Sequence, residues 1–140
     1  MGGVLVGVDQ ISKGWASLSL THPVSVIPGW LEWHLVFNTG AAYGLFANSR
    51  WWLVGIGVMV IALFVRYRHL WGTGAWSRWG GVFFISGAVG NLIDRIWAGR
   101  VVDFIHVYWI PVFNLADVAI NIGMGCLIVD WFLDYRRHIR

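Results

Sequence analysis

The chain has 140 residues, of which 58% are hydrophobic and only 12% charged, with a mean hydropathy of +0.65 and a formal net charge of +3. Soluble domains carry about 25% charged and 45–50% apolar residues, and a globule this small buries too little surface to hide the surplus. The figures exclude an ordinary water-soluble domain, a disordered tail and a nucleic-acid footprint, and leave a small integral membrane protein built as one domain over residues 1–140.

A membrane-spanning helix needs about 20 mainly apolar residues. Residues 1–20 form the first predicted span, interrupted by Asp9 and Lys13, and no basic start or small-residue cleavage site marks a secretory leader. Residues 21–48 form an outer segment in which Leu31, Trp33, Leu35 and Phe37 alternate with Glu32, His34, Val36 and Asn38, the period of a strand. Asn38-Thr39-Gly40 reads as a turn. Residues 51–65 contain no ionisable or amide side chain and make the clearest span. Residues 79–96 give the third, and residues 115–133 the fourth, interrupted by Asp117, Asn121 and Asp130. Between them, residues 98–113 read as an outer connector with β-branched Val101-Val102 and turn-forming Pro111. The fold class is therefore an all-α membrane protein with four transmembrane helices.

Tryptophan and arginine placement supports these boundaries and orients them. Trp51, Trp52, Trp71, Trp76, Trp79, Trp97, Trp109 and Trp131 cluster at the span ends, where indole rings favour the headgroup level. Arg66, Arg68, Arg78, Arg136, Arg137 and Arg140 fall on one side, which the positive-inside rule makes cytoplasmic; Arg50, Arg95 and Arg100 fall on the other and call for a separate role.

A carboxylate within a spanning helix is costly and marks function by default. Asp130 and Asp134 sit at the cytoplasmic end near Arg136 and Arg137 and read as charge balance. Asp9 and Lys13 are spaced i, i+4 and read as a self-neutralising pair. Asn91 and Arg95 share a helix face, small residues around Gly87 and Gly90 admit a neighbouring backbone, and Asp94 beside Arg95 reads as a surface ion pair. Asp103 and Asp117 flank the outer connector. Asn114 and Asp117 have the spacing of a helix cap, which is one reading. The other is a carboxylate pair at the membrane surface that shares a proton, one member activating water while its partner donates to a carbonyl oxygen. His22, His34, His69, His106 and His138 are scattered, no metal-ligand motif occurs, and Cys126 reads as packing, so no metal is expected.

Five motifs then coincide in order: Asp9-Gln10-Ile11-Ser12-Lys13, Phe37-Asn38-Thr39-Gly40-Ala41-Ala42, Gly90-Asn91-Leu92-Ile93-Asp94-Arg95, Val101-Val102-Asp103-Phe104 and Phe113-Asn114-Leu115-Ala116-Asp117. Together they resemble the bacterial lipoprotein signal peptidase (signal peptidase II) family, membrane aspartic endopeptidases that cut prolipoproteins just before a diacylglyceryl-modified cysteine. The resemblance implies that Asp103 and Asp117 are catalytic, that Asn91, Arg95 and Asn114 support the pair and contact substrate, and that Asn38, Asp9 and Lys13 fill further positions of the pattern. It implies an extracytoplasmic β-cradle and lid over residues 21–48, between the first two helices. It also implies a multi-pass protein of the bacterial inner membrane whose site faces outward. Its partners would be prolipoproteins and membrane lipids, with no nucleic acid and no cofactor, and a monomer is the default. With Asp117 at a helix N-terminus and biased toward its charged form, Asp103 is expected to hold the shared proton. Two other readings compete: a small four-helix proton-coupled exporter, for which Asp9 would have to carry the proton, and a non-catalytic scaffold.

Overall fold

A computed structural model describes residues 1–40 and 49–138. Ala41-Ala42 of the second motif, the end of the 21–48 segment and Arg140 lie outside the described residues. In chain order come helix α1 (Gly2–Ser19), strands β1 (Val24–Ile27) and β2 (Leu31–Asn38), helices α2 (Arg50–Arg66) and α3 (Ala75–Ala98), strand β3 (Val101–Val107) and helix α4 (Leu115–His138). A short 3-10 turn, Arg68–Leu70, lies between α2 and α3.

The four predicted helices are all present, each within a few residues of its expected bounds. Among the described residues, only Leu115–Arg136 is both long and apolar enough to cross a membrane by composition. The eight tryptophans assigned to span ends are all exposed, from 38% at Trp71 to 83% at Trp97 and Trp109, so none of them is core filler.

Helix α3 is the hub and packs on α4 through glycines. A Cβ at Gly123 would stand 2.5 Å from the Phe84 nitrogen and 2.7 Å from the Gly80 oxygen, and one at Gly87 would collide with the Ala116 carbonyl. Only hydrogen at these positions lets the two backbones approach so closely. Gly90 serves a different neighbour, since a Cβ there would stand 2.6 Å from Asp9 Oδ2. Helix α3 stops at Gly99, which takes the left-handed conformation (φ 70°) and returns its N–H to the Arg95 carbonyl. Arg50 covers the same helix end, donating to the carbonyls of Arg95 and Ile96.

The β region differs from expectation in one respect. Residues 98–113 are more than a connector: β3 joins β2, giving an antiparallel three-stranded sheet of order β1-β2-β3. Pro28-Gly29 makes the β1–β2 turn, with Gly29 at φ 74° and Trp30 N–H bonded to the Ile27 carbonyl (2.9 Å), as a type II turn requires. The 31–38 alternation gives a strand but not a clean inside/outside pattern, because most of β2 is half-buried. Trp33 and Leu35 pack with Ile105 and Leu115 against Ala16, Leu20 and Phe104, seating the sheet on the end of α1 and the start of α4. The predicted turn forms as the Asn38 Oδ1 accepts from the Gly40 N–H (2.9 Å).

Candidate active site

Strand β3 and helix α4 bring the two outer aspartates to one place. Register pairs Val36 with Asp103 and Asn38 with Val101. On the far side of β3, the Phe113 carbonyl accepts from the N–H groups of Phe104 (3.0 Å) and Ile105 (2.8 Å), clipping residue 113 to the strand. Asn114 follows at once and is fully buried. Its Nδ2 donates to Asp103 Oδ1 (2.7 Å), while its Oδ1 accepts from the Asp117 N–H (3.0 Å) and its own N–H donates to Asp117 Oδ2 (3.1 Å). The cap and the carboxylate pair, which the sequence left as alternatives, are thus one arrangement: the cap residue of α4 also grips the aspartate across from it.

Each aspartate has a further amide donor. Asn38 Nδ2 donates to Asp103 Oδ2 (3.1 Å), and Asn91 Nδ2 donates to Asp117 Oδ1 (2.8 Å). Asn38, Asn91, Arg95, Asp103 and Asp117 line a single cavity of about 490 Å³, closed on another side by the 110–113 segment. Burial pushes the Asp103 carboxyl up to about 6, with the negative charge of Asp117 adding to the rise against the opposing amide bonds. Asp117 lies in the first turn of α4, where the helix dipole favours negative charge.

Arg95 spans the cavity edge, donating to the carbonyls of Asn91 (3.4 Å) and Gly40 (3.3 Å). Its Nε is buried with no hydrogen-bond partner among the described residues. A larger groove, about 610 Å³, lies at the other end of the helices beside Arg68, Trp71 and Arg78, but among the described residues no carboxylate lines it.

Asp9 and Lys13 stand one layer behind the cavity. Lys13 Nζ meets Asp9 Oδ2 (2.8 Å), Asp94 Oδ2 (2.9 Å) and Asn91 Oδ1 (3.0 Å), which uses all three of its N–H bonds. The i, i+4 pair therefore forms, but as part of a larger buried cluster. Asp9 Oδ1 also accepts from the Ala116 N–H (2.9 Å) at the start of α4. The expected surface pair of Asp94 with Arg95 does not form. Adjacent helical residues diverge, so buried Asp94 turns inward to Lys13 and Gln10 while Arg95 turns to the cavity. Gln10, of the same motif, also belongs to this cluster: its Nε2 donates to Asp94 Oδ1 (2.9 Å), and Asp9 Oδ2 and the Gly90 carbonyl (both 3.2 Å) share its other N–H. Asn121 also lines the cavity, a position its i+4 spacing from Asp117 could have signalled.

Two lesser expectations gain a tertiary context. Asp130 accepts from the Ser77 hydroxyl (2.5 Å), because α3 and α4 lie side by side. The histidines are scattered only along the chain, since His34 and His106 meet on the sheet beside Glu32.

The family profile described as Signal peptidase (SPase) II matches residues 2–133. The chain belongs to the signal peptidase II family. It is 37% identical to the lipoprotein signal peptidase of Symbiobacterium thermophilum, over 96% of this chain and 93% of that one. Against the lipoprotein signal peptidase of Pseudomonas aeruginosa PAO1 the identity is 42%, over 92% of this chain and 84% of the relative. A solved bacterial membrane enzyme superposes with a TM-score of 0.87 at 27% identity, covering 96% of this chain and 86% of its own. Membership in the signal peptidase II family agrees with the motif resemblance and makes this chain a membrane peptidase.

Proposed function

We propose that this signal peptidase II chain is an aspartic endopeptidase that removes the signal peptide of prolipoproteins by cutting before a diacylglyceryl-modified cysteine. The observation that carries the reading is that Asp103 and Asp117 line one cavity and are gripped by the same buried Asn114. In the proposed reaction ionised Asp117 takes a proton from a water molecule as its oxygen attacks the scissile carbonyl carbon. Protonated Asp103 gives its proton to the carbonyl oxygen, forming a neutral tetrahedral diol. Collapse returns that proton to Asp103 as the carbonyl re-forms, and Asp117 passes its proton to the leaving nitrogen as the C–N bond breaks. Arg95 orients the substrate backbone, Asn38, Asn91 and Asn114 hold the carboxylates, and Asp9 and Lys13 brace Asn91 from behind.

The same proposal places all four helices across the bacterial inner membrane, with α1 and α3 hiding their polar residues against each other. Exposed Trp51, Trp52, Val58, Met59 and Leu63 on α2 support it, since water would penalise such a surface. The cavity then opens at the outer face, where the precursor's acyl chains stay in lipid while its peptide enters. The chain acts as a single-domain monomer over residues 1–140. An exporter finds little support, because Asp9 is locked to Lys13 and Ala116 and Glu32 lies on the sheet.

Purified chain in detergent is expected to shorten diacylglyceryl-modified prolipoprotein and to leave the unlipidated precursor intact; no shortened product from the lipidated precursor refutes the reading. In the same assay kcat/KM should fall as pH rises through about 6, because Asp103 then loses the proton it must donate. The stability sign is the same. With its folded value raised above the unfolded one, Asp103 stabilises the fold at low pH, and that contribution is lost as pH rises through about 6. A flat kcat/KM across this window would remove Asp103 from the acid role.

A further inference from the structure

We propose that Glu32, His34 and His106 form a binding site for a divalent transition-metal ion of the zinc class, on the sheet and outside the catalytic cavity. Glu32 and His106 are direct partners across the β2–β3 ladder, and His106 Nδ1 lies 3.5 Å from Glu32 Oε2. His34 lies two residues along β2 from Glu32 and so shares its face, beside a bulge. Between the pairs Trp33–Ile105 and Val36–Asp103, β2 holds one residue more than β3, with His34 and Leu35 opposite Phe104. Cross-strand pairing brings that face of β2 against His106, and the His34 and His106 rings lie with centroids 5.9 Å apart.

One donor atom from each of the three residues lies within 4.8 Å of the others. Tetrahedral zinc with bonds of about 2.0–2.1 Å holds its ligands about 3.3 Å apart, so modest side-chain rotations close the site. Two imidazoles with one carboxylate suit zinc, copper or nickel and disfavour calcium and magnesium, which select oxygen. The side chains of Glu32 and His106 are 40% and 32% exposed, which admits the ion and leaves room for a water ligand. Among the described residues, none of the three side chains makes a hydrogen bond or ion pair outside this group. The ion would tie β2 to β3 on the same ladder that carries Asn38 and Asp103.

The test titrates the full chain, free of any histidine tag, with Zn2+ by calorimetry in detergent and with Co2+ by visible absorption. One ion per chain is expected, with His34→Ala, His106→Ala and Glu32→Gln each weakening binding by about tenfold or more. His22→Ala should titrate like the parent. Circular dichroism checks that each variant keeps its helices, and Glu32→Gln preserves the shape of the side chain. Zn2+ should also raise the melting temperature of the parent but not of the His34→Ala, His106→Ala double variant. Absence of saturable binding, binding that the double variant retains, or equal weakening by His22→Ala would each overturn the proposal.

Discussion

Asp103→Asn and Asp117→Asn should each lower precursor turnover by about 100- to 10,000-fold while the chain stays folded in detergent. Both carboxylates are needed because one must accept a proton from water as the other supplies one to the carbonyl oxygen, and an amide can do neither. The substitutions are close to isosteric but not silent. Each aspartate receives two N–H donors, from Asn114 and Asn38 at Asp103 and from Asn91 and Asn114 at Asp117. An amide can orient only one oxygen toward them, so one donor loses its acceptor at a cost of about 1–3 kcal/mol. The expected signature is a large loss of turnover beside a small fall in melting temperature. Robust cleavage by both variants would show that the pair does not carry the reaction.

Lys13→Met is expected to destabilise the protein by about 3–5 kcal/mol, read from equilibrium unfolding in mixed micelles. Lys13 and Asp9 are each 3% exposed and Asp94 is 7% exposed, so removing the ammonium strands two carboxylates where little solvent reaches them. The same change frees Asn91, whose Oδ1 then keeps only the Asn114 donor, and so loosens the partner of Asp117. The triple variant Asp9→Asn, Lys13→Met, Asp94→Asn should recover much of the lost stability, because neutralising a buried ionic cluster costs far less than breaking it. A loss below about 1 kcal/mol for Lys13→Met would mean that the cluster is solvated rather than buried.

The helices were legible because their signal is local: apolar runs, most of them bounded by tryptophan and arginine, need no knowledge of the rest of the chain. Strand β2 was legible for the same reason, through its period of two. Strand β3 was not, because its pairing partner lies some 65 residues upstream and its burial follows no alternation, with Val101, Asp103 and Phe104 all nearly inaccessible. Asp94 was misread because its neighbour in sequence is Arg95, whereas its neighbour in space is Lys13, reached only when α1 packs on α3.

By itself, then, the sequence determined that this is a membrane chain, where its helices run and which aspartates deserve suspicion, since composition, period and motif order are properties of the chain alone. Tertiary packing decided the rest. Glycine-mediated contact of α3 with α4 and the clip of residue 113 onto β3 converge Asp103, Asn114 and Asp117, and the pairing of β2 with β3 brings His106 to Glu32 and His34. Such meetings depend on distances between segments far apart along the chain, and no local pattern encodes them.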